Sequence, residues 1–229
     1  MQVVITKTIM GNLITPPEID KAVSDFCTSI SKETPFYVDV ETEDFARPSY
    51  CFPNVNEKIK REGGSLLVGW QIWTWPEKFI EAEFHGIWCS PSGKKVDITP
   101  KDNDSDKILF LPDKSKNYNG NQVNNIRHAL TQNGLIKDFF LTFEAFFALQ
   151  NYGERASQSG INATDEEIKI LKWLLRWRAG LQRMIIDGLN KNSQCPCNQP
   201  ESVRHPGFPV KIGGREKISA PQLLKFIHC

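Results

Sequence analysis

The chain has 229 residues, 40% of them hydrophobic, enough to enclose a substantial core. Its 28 Lys and Arg nearly cancel 27 Asp and Glu, which argues against a protein built chiefly to neutralise a phosphate backbone. No run approaches the roughly 18 apolar residues of a membrane span, and MQVVITKTIMGN lacks the apolar core of a secretion signal. The expectation is a cytoplasmic protein whose cysteines serve as thiols or metal ligands rather than disulfides.

Thr15-Pro16-Pro17-Glu18 reads as a helix start, with Thr15 as the cap and Ile19, Val23, Phe26 and Ile30 at helical spacing behind it. Cys27 on that helix is read as packing. FYVDV at 36–40 reads as a strand, and ETEDFARPSY as an acidic loop running into Cys51. The segment after Cys51 has the character of a helix that stops at Gly63-Gly64, so its thiol lies near a helix N-terminus. Trp70, Trp73 and Trp75 belong to a cluster of four tryptophans between residues 70 and 88. They either line an amphipathic substrate cleft or form an aromatic core, and both readings stay open.

FIEAEFHGIW alternates apolar and polar residues, as a half-buried strand does, and KKVDITP follows after the turn Ser90-Pro91-Ser92-Gly93. The two strands then form a hairpin that makes His85 and Asp97 neighbours. ILFLPD at 108–113 is a further strand, and residues 114–134 are expected to be a polar surface loop with His128 on the surface. A Phe-rich helix is expected over 135–150, and Thr164 caps another that runs to about Leu189. Lys169, Lys172, Arg176 and Arg183 share one face of it. A solvated face explains such a stripe more simply than nucleic acid does.

The fold expected is α+β, with an antiparallel sheet of four or five strands between residues 36 and 112. Residues 1–190 are read as one domain and 191–229 as a small module rich in Pro, Gly and Cys that needs a staple. In the larger domain, Cys51, His85 and Asp97 supply the parts of thiol chemistry. A helix N-terminus and a nearby imidazolium both favour the thiolate, and a carboxylate fixes the tautomer of the ring. The N–H groups of Cys51 or Phe52, Asn54, or a side chain from Ser49-Tyr50 are candidates to receive an oxyanion. Glu83 is read as a partner of His85. A rival reading takes Glu81, Glu83 and His85, at alternate positions on one strand face, as ligands of a divalent metal.

The chain order Cys, His, Asp on a helix and two strands resembles the transglutaminase-like and papain-like cysteine hydrolases over residues 45–112. That resemblance implies an amidase, deamidase, peptidase or acyltransferase acting on an amide or thioester, with Cys51, His85 and Asp97 catalytic. The substrate expected is a protein or peptide, with Trp70, Trp73, Trp75, Asn54 and Glu83 as the residues that meet it. In the tail, NSQCPCNQPESVRH resembles the opening of the zinc motif at the C-terminus of the SecA translocase. It implies a structural zinc held by Cys195, Cys197 and His205, with His228 or Cys229 completing the set. A second class of function is a zinc-stabilised, non-catalytic binding or adaptor protein that uses its aromatic residues to meet a partner. No oligomeric state follows from the residues.

Overall fold

A computed structural model describes residues 2–3, 13–101, 105–151, 155 and 161–193. In chain order the elements are β1 (Gln2–Val3), α1 (Lys21–Ile30), β2 (Phe36–Asp39), α2 (Cys51–Glu62), β3 (Ser65–Trp75) and β4 (Phe79–Cys89). They continue with β5 (Lys95–Val96), β6 (Lys107–Pro112), β7 (Ile126–Ala129), α3 (Gly134–Gln150), β8 (Ile161–Asn162) and α4 (Asp165–Ile186). The chain is α+β, as expected. It divides into one unit of residues 10–130 and another made of residues 1–9 and 131–229.

In the first unit the strands run in the order β2-β6-β3-β4-β5, antiparallel throughout, and β7 pairs with β4. The centre is the β3–β4 hairpin, paired over its whole length from Ser65 with Cys89 to Trp75 with Phe79. Beta-branched and aromatic residues dominate both strands, which suits a pleated, buried surface. β3 takes one edge of β4, so β5 and β7 share the other, β5 at Trp88–Cys89 and β7 at residues 79–82. Residues 83–87 of β4 lie between those two pairings. An isolated parallel bridge joins Val40 to Asp97 and ties the end of β2 to the end of β5. In it the Asp97 N–H donates to the Asp39 carbonyl at 3.0 Å, and the Glu41 N–H donates to the Asp97 carbonyl at 2.9 Å.

Strand alternation sorts the two faces. Trp70, Ile72, Ile80, Ala82, Phe84, Leu109 and Leu111 pack with Val23, Phe26 and Cys27 of α1 and Phe52 of α2. Val38, Ile87, Ile108 and Phe110 form the core of the opposite face. Gly86 lets α2 settle directly on β4, because a Cβ there would come within 2.8 Å of the Phe52 ring.

α1 starts later than the sequence suggested. Asp20, not Thr15, is the cap, its carboxylate accepting the Val23 N–H at 2.8 Å. Pro17 bars Pro16 from helical backbone, and Thr15 instead donates its hydroxyl to the Lys107 carbonyl at 2.9 Å. The polar stretch after Asp113 also holds an unexpected strand, β7, within residues read as loop. α2 fits its expected limits, starting at Cys51 and stopping at Gly63 with φ 74°.

In the second unit α3 and α4 bury Ala145, Leu149, Ile170, Leu171 and Leu174 against each other. Arg178, also buried, donates from Nε to the Thr142 hydroxyl at 3.1 Å and from a terminal nitrogen to the Thr142 carbonyl at 2.9 Å. Thr164 and Glu167 form the reciprocal cap that the sequence announced. Thr164→Ala is expected to cost about 1 kcal/mol in a denaturant titration, and no change would show that the cap contributes nothing. Lys169, Lys172, Arg176 and Arg183 are exposed on α4. Among the described residues no helix is long and apolar enough to cross a membrane. Cys195, Cys197, His205, His228 and Cys229 lie outside the described residues.

Candidate active site

Cys51 is the first residue of α2, and the chain reaches it through a sharp elbow. Ser49 has φ 65°, in the left-handed region that a non-glycine residue rarely occupies, and Tyr50 caps the helix without a side-chain hydrogen bond. The helix has no acceptor for the N–H groups of Cys51 and Phe52, since only from Asn54 onward does an N–H reach back, to the Tyr50 carbonyl at 2.9 Å. Those two donors and the positive end of the helix dipole therefore lie at the Cys51 end of α2. Cys51 is partly exposed, unlike Cys27, which is 1% exposed and whose thiol burial pushes up to about 11.

The residues of α2 on the same stripe as Cys51 show where that stripe points. Asn54 and Lys58 follow at helical spacing, and both are buried. The Asn54 amide donates to the Thr99 hydroxyl at 3.2 Å and to the Arg47 carbonyl at 2.9 Å, while its oxygen accepts the Arg47 N–H at 3.0 Å. Its hydrogen-bonding groups are thus committed to shaping the loop before Cys51 and to holding the segment after Asp97. Cys51, one turn earlier, packs against the cluster of Phe52, Trp70 and Phe84 on the α1–α2 face of the sheet.

His85 sits in the middle of the stretch of β4 between β5 and β7, opposite Gly69 in the ladder. Its neighbours Phe84 and Gly86 face Phe52, so strand alternation directs the His85 ring to the other face. There its Nε2–H donates to Asp97 Oδ2 at 2.9 Å. The hairpin expected from the turn at 90–93 is present and brings the two side chains together as predicted. Asp97 is fully buried, and its second oxygen accepts the Thr99 N–H at 2.9 Å.

Sequence reasoning missed the next two members. Lys101 Nζ lies 2.5 Å from the same Asp97 oxygen and also donates to Gln71 Oε1 at 2.9 Å. Gln71 is 1% exposed, and its Nε2 has no hydrogen-bond partner among the described residues. The available signal was Gln71 itself, a polar residue in the middle of the apolar run LLVGWQIWTW.

The charges act on one another. Burial opposes the charged form of His85, but the Asp97 carboxylate and a charge on Cys51 favour it more than Lys101 disfavours it, and the ring is pushed up to about 9. Burial likewise opposes the Asp97 carboxylate, yet His85 and Lys101 hold it well below the usual carboxylate range. Asp97 occupies Nε2 and leaves Nδ1 as the nitrogen available for proton exchange.

Tyr118, from the polar segment after β6, stacks on Phe52 with ring centroids 3.9 Å apart and planes 2° from parallel. Its hydroxyl is pushed up by burial and by a charge on Cys51.

The other predicted residues are distributed as follows. Trp70 is buried under α1 and α2, its indole N–H donating to Asp113 at 3.0 Å, and Trp75 is buried against Phe79. Trp73 donates its indole N–H to Glu83 at 2.9 Å, so Glu83 holds Trp73 rather than His85. Glu81 is fully buried and paired with Arg127 at 2.5 Å and Asn125 at 2.9 Å. Glu81, Glu83 and His85 therefore each have a different partner. Among the described residues no group of three or more His, Cys, Asp or Glu side chains is arranged to hold a metal ion. Searches against protein-family models, curated proteins and solved structures give no match to this chain.

Proposed function

We propose that the first unit is a cysteine-dependent hydrolase or acyltransferase acting on an amide or thioester of a protein or peptide. The observation that carries this reading is the buried 2.9 Å bond from His85 Nε2 to Asp97, on a strand against which the helix that starts at Cys51 packs. The papain-like or transglutaminase-like fold suggested by the order of residues belongs to the same proposal, as does a cytoplasmic setting.

Cys51 sulfur attacks the carbonyl carbon, and a C–S bond forms as negative charge moves onto the carbonyl oxygen. The first-turn N–H groups of Cys51 and Phe52 are the donors nearest to that oxygen. His85 holds the thiol proton at Nδ1, as the imidazolium that its raised proton affinity favours at neutral pH, and gives it to the leaving amine or thiol, while Asp97 fixes the orientation of the ring. Water or a second nucleophile then resolves the acyl-enzyme. No step uses Cys195, Cys197, His205 or Cys229.

Iodoacetamide at neutral pH, followed by peptide mapping, tests the reading without a known substrate. Cys51 is expected to be modified far faster than Cys27 and Cys89, and His85→Ala is expected to slow it about 100-fold. Uniform slow labelling of all three thiols would sink the enzyme and favour a binding protein.

A further inference from the structure

We propose that Lys101 is a positioning residue of this site, a buried cation that pins Asp97 and keeps the proton on His85 transferable. The inference rests on the cysteine-enzyme reading above and gives it a fourth member.

Three donors converge on Asp97. Lys101 Nζ at 2.5 Å and His85 Nε2 at 2.9 Å share Oδ2, and the Thr99 N–H reaches Oδ1 at 2.9 Å. A carboxylate held at three points cannot rotate away from the ring. The Lys101 side chain is only 7% exposed, and burying an ammonium costs free energy unless it is paired. Gln71 completes the seat by turning its carbonyl oxygen to Lys101, although its own Nε2 then has no partner among the described residues. Leaving a buried donor unsatisfied also costs free energy, so the orientation of Gln71 is set by the lysine.

Counting charge shows what the lysine does. With His85 as imidazole and Cys51 as thiol, Lys101 and Asp97 neutralise each other. When the proton moves from sulfur to ring, His85 and Lys101 are positive, Asp97 and Cys51 negative, and the cluster is again neutral. The transfer therefore leaves no uncompensated charge in a buried site. Without Lys101, Asp97 alone would hold the proton on His85 still more tightly, and the ring would give it up to a leaving group less readily.

The test follows the His85 ring by long-range 1H–15N NMR, in a chain with only four histidines. Wild-type His85 is expected to titrate near 9. In Lys101→Met the titration should move upward by at least about one pH unit, and Lys101→Arg restores it. If Lys101→Met does not fold, Lys101→Gln, which keeps a donor without the charge, is read the same way. An unmoved His85 titration in the folded neutral variant overturns the role of Lys101, while His85-dependent labelling of Cys51 continues to support the enzyme. Loss of that dependence in the wild-type background overturns the enzyme reading itself.

Discussion

Asp97→Ala is expected to remove about 3–5 kcal/mol of folding stability, because it leaves a buried ammonium, and a ring poised to be charged, without their anion. His85 can shed its proton, but Lys101 can do so only by giving up its charge in a place that holds it at 7% exposure. The Thr99 N–H also loses its acceptor. Urea titration at pH 7 reads the loss directly, and a change below about 1 kcal/mol would mean that solvent reaches this cluster. The pH dependence has a definite sign. A ring raised to about 9 stabilises the fold fully below its ordinary value near 6.5 and loses that contribution as pH rises through 9. The lowered Asp97 contributes above the usual carboxylate range and loses its effect only in acid. Wild-type melting temperature should therefore fall between pH 7 and 10 more steeply than that of Asp97→Ala.

Arg127→Ala is expected to cost about 3–5 kcal/mol as well, by a separate route. Glu81 has no exposed surface, and Arg127 Nε at 2.5 Å is the cation that allows its charge to be buried. Arg127 is also the residue of β7 that stands opposite Glu81 in the ladder, so its removal weakens the pairing that covers one end of β4. Arg127→Ala with Glu81→Leu should recover much of the loss, since an apolar pair needs no counter-charge in the same space. If the double variant is as unstable as the single one, the strand pairing rather than the buried charge sets the cost. Cys51 labelling in the same proteins shows whether β7 matters to the site.

Local signals carried much of this architecture. The glycine pair at 63–64 ended α2, the alternation in FIEAEFHGIW and the turn at 90–93 built the hairpin, and Thr164 with Glu167 opened α4. Each depends on residues within a few positions of one another, and His85 met Asp97 because a hairpin is itself local. The misses share a different cause. β7 is four residues with apolar members only at its two ends, Ile126 and Ala129, and it is a strand only because β4 offers an edge and Glu81 requires Arg127. Lys101 and Gln71 lie 30 positions apart, and nothing near either one announces the other. The tryptophans carry no direction in sequence. Trp70 could face a cleft or a core, and only the helices lying over that face decide for the core.

Gly86 has a mechanical consequence. The helix bearing Cys51 rests on the very strand that bears His85, with the Phe52 ring filling the space a side chain at 86 would occupy. The helix that starts at Cys51 and the strand that carries His85 thus belong to one packed layer rather than to two lobes that must swing shut. The spacing between helix and strand is set by van der Waals radii and is insensitive to hinge motion, so changes of shape elsewhere in the chain can regulate access to the start of α2 but not its seat on β4.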